Sequence, residues 1–273
     1  MTLSRQYCKL CDIADFEEPG FLALARSILP ERDPLTHIER KVWEFTMLAL
    51  FMEEVGLMNE GTEALSVGAG DERILFWLAN RIGRVLATDI YGEGDFSGNE
   101  ADASMLQNPA AHAPFPYRED HLEVKWMDGR ELELPSGSFD LVFTLSSIEH
   151  FGSPADIARS SREIGRVLKP GGYAVIVTEC LARTHPIDAA RRALGRRESD
   201  AFSARQLQKV IVQPSALRML QPLDRSLSRR TWDHIVPADV TLWESSSTPY
   251  PMILMSAGRS VFTSVCLVLE KPR

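Results

Sequence analysis

The sequence predicts an α/β protein built on a doubly wound, mostly parallel sheet, and three observations carry that reading. Short apolar runs alternate with helical patterns between residues 64 and 179, and such runs read as strands buried on both faces. The first run, "ALSVGAG", ends in two close glycines ahead of a helical stretch, the kind of turn that opens a βαβ unit. The chain has 273 residues, 44% of them hydrophobic and 25% charged, which is enough to bury one large core and too apolar for wholesale disorder.

Residues 1–60 read as an N-terminal helical cap. In "THIERKVWEFTMLALFMEEVG", Thr36 and Glu39 stand at capping-box spacing. Ile38, Val42, Phe45, Ala49, Met52 and Val55 fall along one stripe, and Gly56 is a stop signal. Residues 61–273 form the main domain. There "ALSVGAG" is the first strand with its turn, "DERILFWLANRIG" a helix, and "RVLATDI" the second strand. "HLEVKWMDG" is the third strand, "FDLVFTLSS" the fourth, "PADIARSSREIGRVLKPGG" a helix, and "GYAVIVTE" the fifth strand. Ser153 and Pro154 punctuate the start of that last helix, and Gly171 its end.

Two segments exceed what a tight connection needs and read as lid-like insertions. The first is 91–120. The second, 181–260, holds the basic run "RRALGRR", a helix beginning near Ser203, and the aromatic stretch "RTWDHIVPADVTLWESSSTPYP". Arg191, Arg192, Arg196 and Arg197 read as a solvated helix face. "VFTSVCLVLEKP" closes the chain as a strand.

A formal net charge of −8 argues against nucleic acid as a partner, because phosphate contacts call for a basic face. There is no apolar run of signal-peptide or membrane-spanning length, so a soluble cytoplasmic protein without a membrane partner is expected. Four cysteines in a chain of this length do not make a disulfide framework. Cys180 and Cys266 lie in apolar runs, and the lone CxxC of Cys8 and Cys11 lacks two further zinc ligands. Oligomeric state is not legible.

The glycine turn runs Gly68, Ala69, Gly70, Asp71, Glu72, Arg73, and a dinucleotide fingerprint would want glycine where Arg73 stands. A pyrophosphate also needs the positive end of a helix. Asp71 and Glu72, read as the first turn of that helix, would repel it, whereas a ligand carrying an ammonium and a sulfonium would gain. Asp71 serves equally well as a complement to the helix dipole. Asp89 ends the second strand 21 residues beyond Gly68, where an acid can accept both ribose hydroxyls. Asp128 ends the third strand, where a carboxylate can accept an adenine amino group.

With "ALSVGAGDE", "ATDIYG", "WMDGRELELPSGSFDLVFTLSSIEHF" and "REIGRVLKPGGYAVIVTE" in this order, the sequence resembles a class I S-adenosylmethionine-dependent methyltransferase. The resemblance implies a Rossmann-like, seven-stranded sheet with an antiparallel last strand, supplied by "VFTSVCLVLEKP". It implies S-adenosyl-L-methionine as cofactor and S-adenosyl-L-homocysteine as product. The implied cofactor set is Ser66, Val67, Gly68, Ala69, Gly70, Glu72, Asp89, Ile90, Asp128, Gly129, Arg130 and Leu145. The family usually has an acid at the position of Ser66, two residues before the first glycine, to serve the methionine end. Glu72 is the expected substitute.

Methyl transfer is an in-line displacement that needs an aligned acceptor and, for a hydroxyl, a base. "SSIEHF" lies beyond the fourth strand and offers Glu149 and His150, with the histidine as the expected base. Trp232, His234, Trp243 and Tyr250, among Asp233, Asp239 and Glu244, would suit a polyol, although packing over the last strands explains the aromatics as well. A divalent metal among His150, Asp233, His234 and Asp239 would suit a hydroxyl acceptor, and no spacing motif supports it. The expected function is methyl transfer to a hydroxyl of a small molecule, a sugar or glycosylated metabolite being the specific reading. An N- or C-methyltransferase is the alternative, with a nicotinamide-dependent oxidoreductase and a noncatalytic cofactor-binding subunit behind it.

Overall fold

A computed structural model describes residues 2–194, 199–238 and 250–273. In chain order it contains strand β1 (Lys9–Leu10) and helices α1 (Pro19–Ile28) and α2 (Arg40–Glu54). Then come β2 (Glu63–Val67), α3 (Arg73–Ala79), β3 (Arg84–Asp89), α4 (Ser104–Gln107), β4 (Leu122–Trp126) and β5 (Phe139–Leu145). Helix α5 (Pro154–Val167) leads into β6 (Leu168–Arg183), followed by α6 (Pro186–Ala193), α7 (Ala204–Leu207) and α8 (Gln213–Ser215). The chain continues through β7 (Arg218–Met219), α9 (Arg229–Trp232), β8 (Ile235–Pro237), β9 (Leu254–Ala257) and β10 (Ser260–Glu270).

The strands lie in the order β4-β3-β2-β5-β6-β10-β9-β8. The first five are parallel, and β10 runs antiparallel to β6. This is the mixed, Rossmann-like sheet. Chain order moves from β2 outward to β3 and β4, then returns to β5 on the other side of β2. The reversal opens a crevice at the C-terminal ends of β2 and β5, the place where such sheets bind ligands. Within each strand alternate residues face opposite layers. Ala64, Val85 and Ala87 join the core under α1, α2 and α3, while Leu65, Val67 and Leu86 join the core under α5 and the 204–215 helices.

Seven strands were expected; ten are present among the described residues. The extra ones arise because no single strand pairs with the outer edge of β10. Three short pieces share it: β9 at Ser260–Phe262, β1 at Val265–Cys266 and β7 at Leu269–Glu270. The N-terminal segment is therefore woven into the sheet through β1 rather than purely helical. Cys8 and Cys11 flank that strand and are buried, and burial pushes both thiols up. Among the described residues no set of three or more His, Cys, Asp and Glu side chains is arranged to hold a metal. Among them too, no helix is long and apolar enough to cross a membrane.

Helix α2 departs from its sequence pattern in two ways. It begins at Arg40 with Glu39 as N-cap and no side-chain cap, while the Thr36 hydroxyl donates to Asp33 O at 3.2 Å. The capping box does not form because the Glu39 carboxylate pairs with Arg32. Nor is burial confined to one stripe: every residue from Val42 to Ala49 is buried, Glu44 and Thr46 included. Packed between α1 and the sheet, the helix has almost no solvent face.

The helix expected near Ser203 forms, with Ser203 and Gln206 in a capping box. It passes through one π turn at Gln208–Val212 before α8. Pro214 follows, and a proline inside a helix disrupts the bond to the carbonyl four residues back. That carbonyl, on Val210, accepts instead from Ser161 Oγ of α5 at 3.0 Å. Close approach of the two helices requires Gly165, since a Cβ there would stand 2.0 Å from Ser215 O. We expect Gly165→Ala to destabilise the fold by about 1–3 kcal/mol through overpacking, despite alanine's better helix propensity. A lower urea midpoint with unchanged m-value is the check.

Candidate functional site

The crevice at the ends of β2, β3, β5 and β6 holds a cavity of about 490 Å³. Its first wall is the glycine turn after β2. Gly68 and Gly70 have φ of +69° and +52°, a region open to glycine at little cost. A Cβ on Gly68 would stand 2.6 Å from Ser147 Cβ and 2.9 Å from Phe151 Cζ.

The backbone N–H groups of this turn are already used. Those of Gly68 and Ala69 donate to Thr88 O at 2.9 and 3.0 Å, and that of Gly70 to Asp89 Oδ2 at 2.9 Å. A pyrophosphate bound in the dinucleotide manner needs such groups free. Engagement of the Gly68, Ala69 and Gly70 N–H groups argues against that mode alongside the missing third glycine.

Asp71 and Glu72 do not form the first turn of α3, which corrects the sequence reading. The helix starts at Arg73 with Glu72 as an extended N-cap that makes no capping bond. Both acids have other partners: Asp71 Oδ2 meets His112 Nδ1 at 3.1 Å, and Glu72 pairs with Lys41 of α2. His112 Nε2 lies 2.9 Å from Ser104 Oγ, so the 91–120 segment is tied to the glycine turn. The Tyr91 hydroxyl adds a bond to Gly70 O at 2.8 Å.

Asp89 lines the cavity and keeps lone pairs beyond its two backbone bonds, from Gly70 N and from Ile90 N at 2.7 Å. Burial pushes its carboxyl up, against those two bonds. Asp128 also lines the cavity. Arg130 grips it as a fork, Nε at 2.9 Å from both oxygens and the terminal nitrogen at 2.6 Å from Oδ2, and these bonds hold its carboxyl down. Ile90, Gly129 and Arg130 are part of the same wall. Ser66, Val67, Ala69 and Leu145 stand behind the lining as buried packing.

Glu149 and His150 diverge. Glu149 is buried on the cavity floor, with Oε2 accepting from Thr178 Oγ1 at 2.7 Å and Oε1 lacking any hydrogen-bond partner among the described residues. Burial, then the neighbouring charge of Glu179, pushes its carboxyl up to about 8. His150 sits at the rim, its ring centroid 5.0 Å from that of Phe96 and Nδ1 3.8 Å from Asp200.

The expected acceptor residues are not brought together at the cavity. Trp232 lies under the Arg183 guanidinium at 5.4 Å. His234 bonds Arg230 O at 2.8 Å, and Tyr250 packs on His37 with centroids 4.5 Å apart. None of the three lines the cavity; Trp243, with Asp239 and Glu244, falls outside the described residues. The apolar wall comes from Ala238, Met252 and Met255, carried there because Met252 N bonds Ile38 O at 2.8 Å beside the start of α2.

Helix α2 supplies what the sequence reading missed. Arg40 pairs with Glu179 at 2.7 Å. Lys41 meets Glu72, Glu44 Oε2 at 3.4 Å and Leu145 O at 3.2 Å. Glu44 Oε1 accepts from Ser146 Oγ at 2.8 Å and Ser264 Oγ at 2.6 Å, and Ser146 itself holds a left-handed φ of 51°. Burial, offset in part by Lys41, raises the Glu72 carboxyl to about 7. A sequence signal did exist: a glutamate inside an otherwise apolar stripe is seldom buried without a reason.

The methyltransferase domain family matches residues 65–176, and no curated protein sequence matches the chain. Among solved structures, the fold is similar to that of a Bacillus halodurans C-125 protein assigned as a methyltransferase, at 15% identity, covering 83% of this chain and 99% of that one with a TM-score of 0.54. It is also similar to phosphoethanolamine N-methyltransferase 2 of Haemonchus contortus bound to S-adenosyl-L-methionine (18% identity, TM-score 0.52). That match covers 83% of this chain and 52% of the other, so the chain spans about half the length of that enzyme. Geranyl diphosphate C-methyltransferase of Streptomyces coelicolor A3(2), crystallised with Mg²⁺, geranyl diphosphate and S-adenosyl-L-homocysteine, gives 14% identity, 98% and 90% coverage and a TM-score of 0.55.

The raised Glu149 carboxyl has a stability consequence. Between its ordinary value of 4.5 and about 8, the folded state holds a proton that the unfolded state has released. Stability of the ligand-free protein therefore falls as pH rises through that window, on the order of 1 kcal/mol per pH unit. Glu149→Gln, which stays neutral, should flatten the decline and melt higher than the parent at pH 8. Thermal unfolding at pH 5 through 8 is the measurement, and parallel profiles for the two proteins would refute it.

Proposed function

We propose that this S-adenosylmethionine-dependent methyltransferase transfers its methyl group to a proton-bearing heteroatom, hydroxyl or amine, of a small molecule, with Glu149 as proton acceptor. The observation that carries the reading is one continuous cavity lined by Asp89, Asp128 and Glu149, whose buried Oε1 has no hydrogen-bond partner among the described residues. A cavity of about 490 Å³ falls in the range of small-molecule sites.

The residues fit the cofactor. Asp89 would accept the ribose hydroxyls and Asp128 the adenine amino group, while Gly68 and Gly129 let the Phe151 ring pack against this wall. At the other end, Lys41 would meet the methionine carboxylate, and the Glu72 and Glu44 carboxylates beside it would receive its ammonium. Two acids beside one lysine thus take the place of the carboxylate that Ser66 lacks. When bound, the cofactor supplies a sulfonium whose methyl carbon is open to in-line attack. The protein aligns the acceptor over the apolar wall of Met252 and Met255, excludes water beneath α2, and takes the acceptor's proton on Glu149.

A sugar hydroxyl loses support, because Trp232 and His234, which suggested it, lie away from the cavity. Glu149 is better placed as base than His150, which faces the rim beside Asp200.

Calorimetry should detect S-adenosylhomocysteine binding and no NAD binding. Asp89→Asn should weaken S-adenosylhomocysteine about tenfold, the scale of one charge-assisted hydrogen bond. In single-turnover methyl transfer, Glu149→Gln should lose at least a hundredfold and His150→Ala less than tenfold. NAD binding, or the reverse order of the two variants, would overturn the assignment.

A further inference from the structure

Four carboxylates, Glu44 and Glu149 buried and Glu72 and Glu179 half-buried, meet two cations around the inner half of the cavity. Lys41 is shared by Glu72 and Glu44, and Arg40 is engaged by Glu179. Glu149 is left with a hydroxyl on one oxygen and nothing on the other among the described residues. With four carboxylates against two cations, and a zwitterionic methionine end adding no net charge, the inner half of the cavity is short of positive charge whenever Glu149 is ionised. Among the described residues no cation is paired with Glu149: Lys41 attracts it from a distance, while Glu179 of β6 and Glu44 of α2 press upon it with like charge.

Resting on the methyl-transfer reading above, we propose that the acceptor is a primary or secondary amine that enters as its ammonium, pairs with the free oxygen of Glu149 and surrenders a proton to it. The released lone pair then attacks the methyl carbon. A carbon–nitrogen bond forms as the carbon–sulfur bond breaks, and the sulfonium becomes a neutral thioether. The N-methylammonium product leaves, and Glu149 returns its proton to solvent. Charge balances: two cations enter, one methylated cation and one proton depart.

Chemistry separates the amine from the two hydroxyl classes. An alkylammonium has an ordinary pKa of about 10.4, and Glu149 titrates at about 8, so the proton transfer is only modestly uphill. An aliphatic hydroxyl lies far above that range, and a carboxylate cannot deprotonate it to any useful extent. A phenol matches in acidity, at about 10, but once Glu149 has taken its proton the oxyanion is left beside Glu44 and Glu179, where like charge disfavours it. The amine alone turns a charged pair into two neutral groups in a buried site.

Sinefungin is a suitable probe, because an amine-bearing carbon replaces the methylsulfonium and places a cation at the transfer point. We expect it to bind at least tenfold more tightly than S-adenosylhomocysteine at pH 8.5, with the advantage shrinking at pH 6. Glu149→Gln should abolish the advantage while leaving S-adenosylhomocysteine affinity within twofold, which also shows that the variant folds. A labelled-methyl assay with phenethylamine, phenethyl alcohol and tyrosol should label the amine alone. An equal sinefungin advantage in Glu149→Gln, no advantage in either protein, or preferential labelling of a hydroxyl would overturn the amine assignment. Failure of S-adenosylhomocysteine itself to bind would instead overturn the methyltransferase reading on which it rests.

Discussion

Helix α2 is joined to the sheet by ionic contacts made where water is scarce, and the site depends on them. Lys41 reaches Glu72 at the end of the glycine turn, and Arg40 reaches Glu179 on β6. Glu44 collects hydroxyls from Ser146 and Ser264. Charges taken out of water cost several kcal/mol each unless they are paired, so these contacts fix one position of the helix over the crevice. Contacts of this kind add less to stability than to specificity of arrangement. Here the arrangement is the roof of the cavity.

The same logic governs the glycine turn. The N–H groups of Gly68, Ala69 and Gly70 are spent on Thr88 O and on Asp89, so these three positions are held before any ligand arrives. Asp89 therefore has two duties: it stiffens the turn, and it presents its remaining lone pairs to the cavity. The 91–120 segment is laid against the turn through Tyr91 and through His112 with Asp71. Asp89 and the 91–120 segment are thus neighbours of one short loop.

Much of this was legible in the sequence, for local reasons. Strands β2 to β6 follow from apolar runs that only a sheet covered on both faces can bury. Gly68, Gly70, Asp89 and Asp128 follow from turn geometry at strand ends. Helix α5 announces itself through Ser153, Pro154 and Asp156. The errors were also physical. The start of α2 was misread because Glu39 prefers Arg32 to a capping role. Asp71 and Glu72 read as the first turn of α3, but that helix starts at Arg73 and two distant side chains, His112 and Lys41, pair with the acids.

By itself, then, the sequence determined the order of the strands' hydrophobic runs, the glycine turn and the carboxylates at the strand ends, because each depends on residues within a few positions of one another. Only the tertiary structure decided which charges share the cavity. Arg40, Lys41 and Glu44 lie more than a hundred residues from Glu149 and Glu179 in the chain. Their meeting depends on α2 packing over the sheet. Once they meet, burial raises the Glu149 carboxyl to about 8, so that an acid ordinary in sequence keeps its proton through neutral pH.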